Sequence, residues 1–291
     1  MKKRRQQRNW AKVITVLLCL FLGAAYLWMQ PAAEPAPSPE GSLEVHFIDV
    51  GQGDAVLIRC GEEAMLIDGG TEDSGTRLRL YLKKQQITRL TYVVATHPDA
   101  DHIGGLASVL YHVETETVLM TDRQADTAAY DNLMQTLRAR GLSKTVPAPG
   151  QTYTLGEGSF TILGPLSQAE DANNDSLALR LQFGEVSFLF CGDAEKEEEG
   201  ELSLSLRTLH STVYKVNHHG SATSSSWPFL LRVRPQYAVI SCGRDNDYGH
   251  PHEETLKKLE QLNVEVFRTD RQGTVVAETD GKDILWSFPE S

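Results

Sequence analysis

The sequence predicts an α/β sandwich: two β-sheets packed face to face with helices outside, occupying about 250 residues behind an N-terminal segment of different character. Two observations predict it. Short apolar strands alternate with amphipathic helices in both halves of the chain. Nearly all the reactive side chains fall in four loops at strand ends, 97–102, 193–195, 218–221 and 249–252.

In order along the chain, Leu43–Val50 and Ala55–Arg59 read as strands around the turn Gly51-Gln52-Gly53-Asp54, and Ala64–Ile67 is a third strand closed by Asp68-Gly69-Gly70. Apolar spacing predicts a helix over 76–86, a strand over Leu90–Thr96, a helix over Ile103–Val113, a strand over Thr117–Met120 and a helix over Asp126–Arg140. From there to Asp193 only strands are expected, ending in the hairpin Leu177–Gly192 with its turn at Phe183-Gly184-Glu185. Glu195–Leu209 reads as a helix whose acidic first turn suits its N-terminus, with the run Glu195–Glu201 a solvated face. Strands over Val213–Asn217 and Tyr237–Ser241, a helix over 252–262 and three short strands complete the domain.

The segment before this domain has another logic. Residues 1–12 carry six Lys or Arg and no acid, and Val13–Met29 runs apolar apart from Thr15. A basic head followed by about 17 apolar residues reads as a signal peptide or membrane anchor over 1–30, which would place the rest outside the cytoplasm. Residues 31–41 (PAAEPAPSPEG) are a Pro/Ala-rich linker, and the domain proper covers 42–291. The first 40 residues hold six basic and two acidic side chains, leaving 22 basic against 37 acidic beyond them, a net of −15. Such a surface repels polyanions on average, so nucleic acid could be held only locally. Cys60, Cys191 and Cys242 show no pairing pattern and read as buried thiols.

The stretch THPDADHIGG (96–105) concentrates the chemistry. Two histidines and two aspartates lie within six positions at a strand end, which is a metal-ligand pattern. Together with FIDVGQGDA (47–55), FLFCGDAE (188–195), VNHHGSATSS (216–225) and YGHP (248–251), it resembles the metallo-β-lactamase fold, and more narrowly the metallo-β-lactamase-like domain of ComEC-type competence (DNA-uptake) proteins. The resemblance spans about residues 43–289 and lacks the multi-span channel of the full-length uptake proteins. It implies a four-layer αββα sandwich with two divalent ions, Zn²⁺ or Mn²⁺, at one edge.

The same resemblance implies roles. His97 and Asp99 would hold the first ion, Asp101 and His102 the second, and Asp193 would bridge them. His250 or His218 would complete the second site. His218 or His219 would act beside the ions on phosphate or leaving group, the other being structural, since neighbours on an extended strand point to opposite sides. Asp101 is also assigned a catalytic part. Ser221, Asn173 and Asn174 are candidate substrate contacts, Asp68 and Glu195 support the ligands, and Asp49, Gln52 and Asp54 shape the rim. The pattern departs from the superfamily at Asp99, which replaces a histidine, and in AEDANNDS (169–176), where a third histidine is missing. Oxygen donors in those places favour a harder ion, which is why Mn²⁺ stands beside Zn²⁺. The segment 220–226 (GSATSSS) either grips phosphate or caps a helix entering at Trp227-Pro228.

The function these parts imply is an exported, metal-dependent hydrolase of phosphodiesters, with DNA among the candidate substrates and a metal-activated hydroxide as nucleophile. A non-catalytic, metal-stabilised surface-binding module and a hydrolase of another phosphoester or of a β-lactam are the alternatives.

Overall fold

The computed structural model describes residues 41–289; the expected membrane segment and all but the last residue of the linker lie outside them. Among the described residues no helix is long and apolar enough to cross a membrane.

Strands β1 (Leu43–Phe47), β2 (Val56–Cys60) and β3 (Glu63–Ile67) form an antiparallel meander. Helix α1 (Gly75–Lys84) then returns the chain to β4 (Arg89–Ala95), parallel to β3. Helices α2 (Ala100–Ile103) and α3 (Leu106–His112) lead to β5 (Glu114–Met120), and α4 (Ala128–Ala139) leads to β6 (Lys144–Thr145), both strands again parallel to their predecessors. The second sheet opens with β7 (Thr152–Leu155), β8 (Gly158–Gly164), β9 (Ala178–Phe183) and β10 (Val186–Phe190), antiparallel in turn. It continues in parallel through α5 (Lys196–Leu204), β11 (Val213–Lys215), α6 (Trp227–Val233), β12 (Tyr237–Ile240), α7 (Glu253–Gln261) and β13 (Glu265–Arg268). After α8 (Thr269–Gln272) the chain rejoins the first sheet as β14 (Val275–Thr279) and β15 (Ile284–Ser287). The sheet orders are β15-β14-β1-β2-β3-β4-β5-β6 and β13-β12-β11-β10-β9-β8-β7.

Period-2 alternation assigns the layers. Val56, Ile58 and Cys60 of β2 face the second sheet, alongside Phe47, Met65, Phe160, Leu181 and Phe188. Leu57, between them, faces outward under α1, α3 and α4, where it joins Leu78, Leu106 and Leu133. The other outer layer seats Leu202, Phe229 and Leu259 on Leu189 and Tyr214. Four layers in the order αββα result, as expected.

The parallel strands matter for the site. In β3–β6 and β10–β13 all C-terminal ends reach one edge of the sandwich, so the loops after β4, β10, β11 and β12 converge there. Such loops on a rigid scaffold are where binding groups concentrate.

Three local differences from expectation have physical causes. The single helix expected over 103–113 is broken at Gly104-Gly105, because the Gly105 amide donates to Gly70 O (3.0 Å) and its Cα is so close to Gly69 that an added Cβ would lie 2.1 Å from that carbonyl. The helix expected to reach Leu209 ends at Leu204, leaving Leu206 fully exposed. The acidic run in that helix is not a solvated face: Glu198 and Glu199 are 1% and 0% exposed. The three thiols of the described residues are free and buried, as read from the sequence.

Gly53 ties the first hairpin to the 97–102 loop. Its φ is +126°, and a Cβ there would lie 2.2 Å from Asp101 O. Gly53→Ala is therefore expected to cost more than about 2 kcal/mol by urea denaturation. Gly61→Ala, at φ +61° with open space around it, is expected to cost about 1 kcal/mol. Equal losses would mean that the loop contact is unimportant.

Candidate metal centre

Asp68 organises the edge. It follows β3 in a left-handed conformation (φ 57°) that turns its carboxylate under the next strand. There it accepts the Thr96 amide (2.8 Å), the Thr96 hydroxyl (2.7 Å) and His102 Nδ1–H (2.8 Å). Since the Thr96 proton goes to Asp68, its oxygen is left to accept His97 Nδ1–H at 3.1 Å. A third imidazole is oriented separately: His219 Nδ1 donates to the Ser241 carbonyl at 3.0 Å.

Each of these histidines thus spends Nδ1 outward and turns the Nε2 lone pair inward, as metal-binding histidines do. All three Nε2 atoms are buried and lack a hydrogen-bond partner among the described residues. They face carboxylates. His102 Nε2 is 3.1 Å from Asp193 Oδ1, and His219 Nε2 is 3.2 Å from Asp101 Oδ2 and 3.4 Å from Asp193 Oδ2. Lone pairs opposed to carboxylates repel unless a proton or a cation lies between them. Asp54, His102, Asp193 and His219 each bring one ligand atom within 4.8 Å of one another, all buried. The donor set therefore fits a divalent metal ion.

The titration behaviour agrees. Burial alone would lower His102 and His219, but the Asp193 carboxylate and its neighbours outweigh it and hold both well above the ordinary histidine range. Burial, helped by the neighbouring His102, pushes His97 down to about 3. Burial likewise takes His250 down to about 4. Asp54 would be raised by burial, yet the Lys215 ammonium 2.5 Å away holds it at about 2. Lys215 is itself buried and also donates to the Val216 carbonyl (3.0 Å).

The remaining expected residues fall around this cluster. Asp99 is half exposed at the mouth, with Oδ2 3.8 Å from His97 Nε2. His218 also lies at the mouth, with Nδ1 3.1 Å from Glu195 Oε1 and Nε2 3.7 Å from Asp193 Oδ2. The His250 ring lies 5.6 Å from that of His218 and 6.1 Å from that of His219. His250 Nδ1 is another buried atom without a partner. Asn174 is buried, and its Oδ1 accepts the amides of Glu195 and Glu198 (both 3.1 Å), so it caps α5. Asn173 is partly buried beside it, its own amide donating to Asp171. Ser221 is buried with its hydroxyl 2.9 Å from that of Thr223, which shapes the loop. Gln52 Oε1 accepts the Gly243 amide, and Asp49 Oδ1 the Gly51 amide, both at the rim.

His218 and His219 do not alternate as strand residues would. Both are left-handed (φ 49° and 52°), a cost of roughly 1–2 kcal/mol each, and both turn toward Asp193. Glu199 holds this strained turn. Its carboxylate accepts Asn217 Nδ2 (2.9 Å) and the amides of Ser225 (2.6 Å) and Ser226 (2.8 Å), fastening α5 to the entry of α6. Ser226 enters α6 in an extended conformation, with Pro228 in the first turn. Asp54, Lys215, Glu199 and the inward part of His219 are what sequence reasoning missed. The only signals were the GDA after a polar turn and a lysine inside an apolar strand.

A profile of the Metallo-beta-lactamase superfamily matches residues 48–244. The chain is 31% identical over 262 residues to ComE operon protein 3 of Bacillus subtilis, covering 83% of this chain and 33% of that protein. It is 30% identical over 243 residues to competence protein ComA of Neisseria gonorrhoeae, covering 83% of this chain and 33% of ComA. Recombination protein 2 of Haemophilus influenzae is 29% identical over 238 residues, covering 80% of this chain and 28% of that protein. The chain thus spans about a third of the length of these curated relatives. Among solved structures, the metallo-beta-lactamase fold protein YhfI of B. subtilis matches with a TM-score of 0.56 at 14% identity, covering 82% of this chain and 99% of YhfI. The diiron beta-hydroxylase CmlA of Streptomyces venezuelae matches with a TM-score of 0.52 at 15% identity, covering 80% and 53%.

Two measurements follow from this geometry. Mn²⁺ affinity by calorimetry is expected to rise with pH through neutrality, up to about tenfold per pH unit for each displaced proton, because the carboxylates that raise His102 and His219 make proton and cation compete for the same imidazoles. A flat profile would contradict the assignment. Asp68→Asn removes the acceptor that orients His102 and is expected to weaken metal binding about 10–100-fold while the domain stays folded by circular dichroism.

Proposed function

The chain belongs to the metallo-beta-lactamase superfamily, and from that premise we propose that it is a metal-dependent hydrolase of phosphodiesters, with DNA strands among its substrates, exported and held at the membrane by its N-terminal segment. The observation that carries the reading is the set of three buried imidazoles with unpartnered Nε2 atoms, those of His102 and His219 facing Asp101 and Asp193 and that of His97 facing Asp99. Names of the similar proteins that refer to competence and recombination support DNA as a substrate. The basic head and apolar run of residues 1–29 support export.

His97, Asp99, Asp101, His102, Asp193 and His219 would hold two divalent ions, Zn²⁺ or Mn²⁺, with Asp54 and His250 adjoining them. Bound there, the ions would supply Lewis-acid charge against the phosphoryl oxygens. The chain's own groups do the rest. Thr223 Oγ1 bonds to His218 Nδ1 (3.3 Å), with the Glu195 carboxylate 3.1 Å from the same nitrogen, and together they hold the ring with Nε2 on the Asp193 side of the mouth, where it can hand a proton to the departing alkoxide. Lys215 and Asp54 keep a paired charge at the back of the cluster. Glu199 keeps the 217–226 turn, and with it His218, in a fixed position relative to Asp193. The mixture of imidazole and carboxylate donors suits either metal.

The test is the chain stripped of metal, reconstituted separately with Mn²⁺ and with Zn²⁺, and assayed on bis-p-nitrophenyl phosphate and on end-labelled single- and double-stranded DNA. Turnover of the diester and of single-stranded DNA is expected. Asp193→Ala should lose metal and turnover together, whereas His218→Ala should keep its metal and lose about 10²–10⁴-fold in kcat. No hydrolysis with both metals bound would favour a binding module, and turnover of a β-lactam alone would move the reading to that substrate.

A further inference from the structure

Among the described residues, a cavity opens on either side of the metal cluster, on the edge that carries it. The sheet orders place them: one is lined from the loops after β5, β6 and β8, the other from the loops after β1, β12 and β13, while the ligand loops follow β4, β10 and β11 between them. The first is walled by Val146, Pro147, Pro149, Pro165 and Leu166, and its one guanidinium, Arg123, is spent on Asp175 (2.6 Å) and the Ala169 carbonyl (2.8 Å). The second, of about 470 Å³, is lined by Asp49, Gln52, Arg77, Arg244, Asn246 and Asp270, with Gly51 and Gly243 in its floor.

The second cavity has free positive charge. Arg77 is exposed on the first turn of α1, and its guanidinium makes no hydrogen bond or ion pair among the described residues. Its guanidinium lies over Gly51, Nη2 being 3.6 Å from where a Cβ would stand. Arg244, also exposed, spends only Nε, on the Asp270 carbonyl (3.2 Å). Of the two carboxylates in the lining, Asp270 is neutralised by a two-bond pair with Arg268 (2.9 and 2.6 Å), while Asp49 accepts the Gly51 amide and keeps its charge, so the two guanidiniums leave the lining with a net positive charge of one. Asp245 and Asp247 follow Arg244 in sequence but do not line the cavity.

The walls of this cavity are also the supports of the metal cluster. Gln52 precedes the Gly53-Asp54 pair and bonds to the Gly243 amide. Asn246 holds His250 through both backbone groups, donating to its carbonyl (2.7 Å) and accepting its amide (2.9 Å). In a domain of net charge −15, two guanidiniums without a carboxylate partner among the described residues, in one cavity against the reactive edge, form a local exception to a surface that otherwise repels anions.

We infer that the cavity of Arg77 and Arg244 is the subsite for a phosphate adjoining the scissile one, so that the protein takes a chain of phosphodiesters that runs across the edge rather than an isolated diester. Guanidinium forks match phosphate oxygens in pairs, and the opposite, proline-walled cavity offers no free charge to compete. The inference rests on the phosphodiester reading above and narrows it. It also explains how an acidic domain could hold a polyanion: through one short segment with local neutralisation, not through a basic face.

The test uses the metal-loaded full chain and binding rather than turnover. The probes are a short fluorescein-labelled oligothymidylate with hydrolysis-resistant phosphorothioate linkages and its uncharged methylphosphonate counterpart. Affinity is read by anisotropy over a range of salt. Replacing both guanidiniums (Arg77→Ala with Arg244→Ala) is expected to weaken the charged probe at least about tenfold and to lower the salt slope by about 1.4, near 0.7 for each charge removed from a single-strand contact. The uncharged probe should change less than about twofold. Arg89→Ala with Lys282→Ala, at the opposite end of the sandwich, should leave both unchanged. Competition by polyglycerol phosphate as well as by unlabelled oligothymidylate would mark a general phosphodiester chain, and competition by the oligothymidylate alone would mark nucleic acid. No loss in the double arginine variant, or an equal loss for both probes, overturns the inference. If the charged probe depends on the arginines but no diester is ever hydrolysed, the subsite stands and the hydrolase reading falls.

Discussion

Asp68 is the constraint on which the edge depends. One buried carboxylate, turned by a left-handed residue at the end of β3, binds the Thr96 amide, the Thr96 hydroxyl and the His102 ring. Through the Thr96 oxygen it also sets His97. Two imidazoles are thereby locked with the same nitrogen facing the cluster, before any ion is considered. A flexible histidine would lose rotamer freedom on binding a cation; these have lost it on folding, and the packing of the αββα core has already offset that loss.

The rest of the site is held by the same device, a buried polar group that spends its bonds on backbone. Glu199 fastens the strained His218-His219 turn, Asn174 closes the start of α5 behind Asp193, and Asn246 grips His250. Lys215 keeps Asp54 ionised. None of these groups faces the mouth. They keep loops from four strand ends in register, which is what a cluster of like charges requires, since Asp54, Asp101 and Asp193 would otherwise repel one another.

How much of this was legible in the sequence follows from where each partner lies. The clustering of His97, Asp99, Asp101 and His102 was legible, because residues 97–102 carry their own spacing and local geometry. The sandwich was legible too, because its strands and helices have distinct periods. Groups whose meaning depends on a distant partner were not. Glu198 and Glu199 sit in an acidic run that looks solvated, and only the fold packs them under residues 176 and 217–226. Asp54 is legible only as a rim residue, because its partner Lys215 is 161 positions away. The inward turn of His219 was hidden for another reason: alternation was assumed, while the backbone there is left-handed at two successive non-glycine residues. The side chain of Asn174 suits a substrate contact by its chemistry, yet the two amides it accepts are those of Glu195 and Glu198 at the start of the next helix.

The unpartnered nitrogens of His97, His102 and His219 mark where a metal ion would sit. Anomalous diffraction from crystals of the metal-loaded protein, recorded at the manganese and zinc edges, tests that placement most directly. Anomalous density is expected between Asp193 and these three nitrogens, changing with the metal supplied. Density elsewhere, or none there with His102 and His219 closing directly onto the carboxylates, would contradict it.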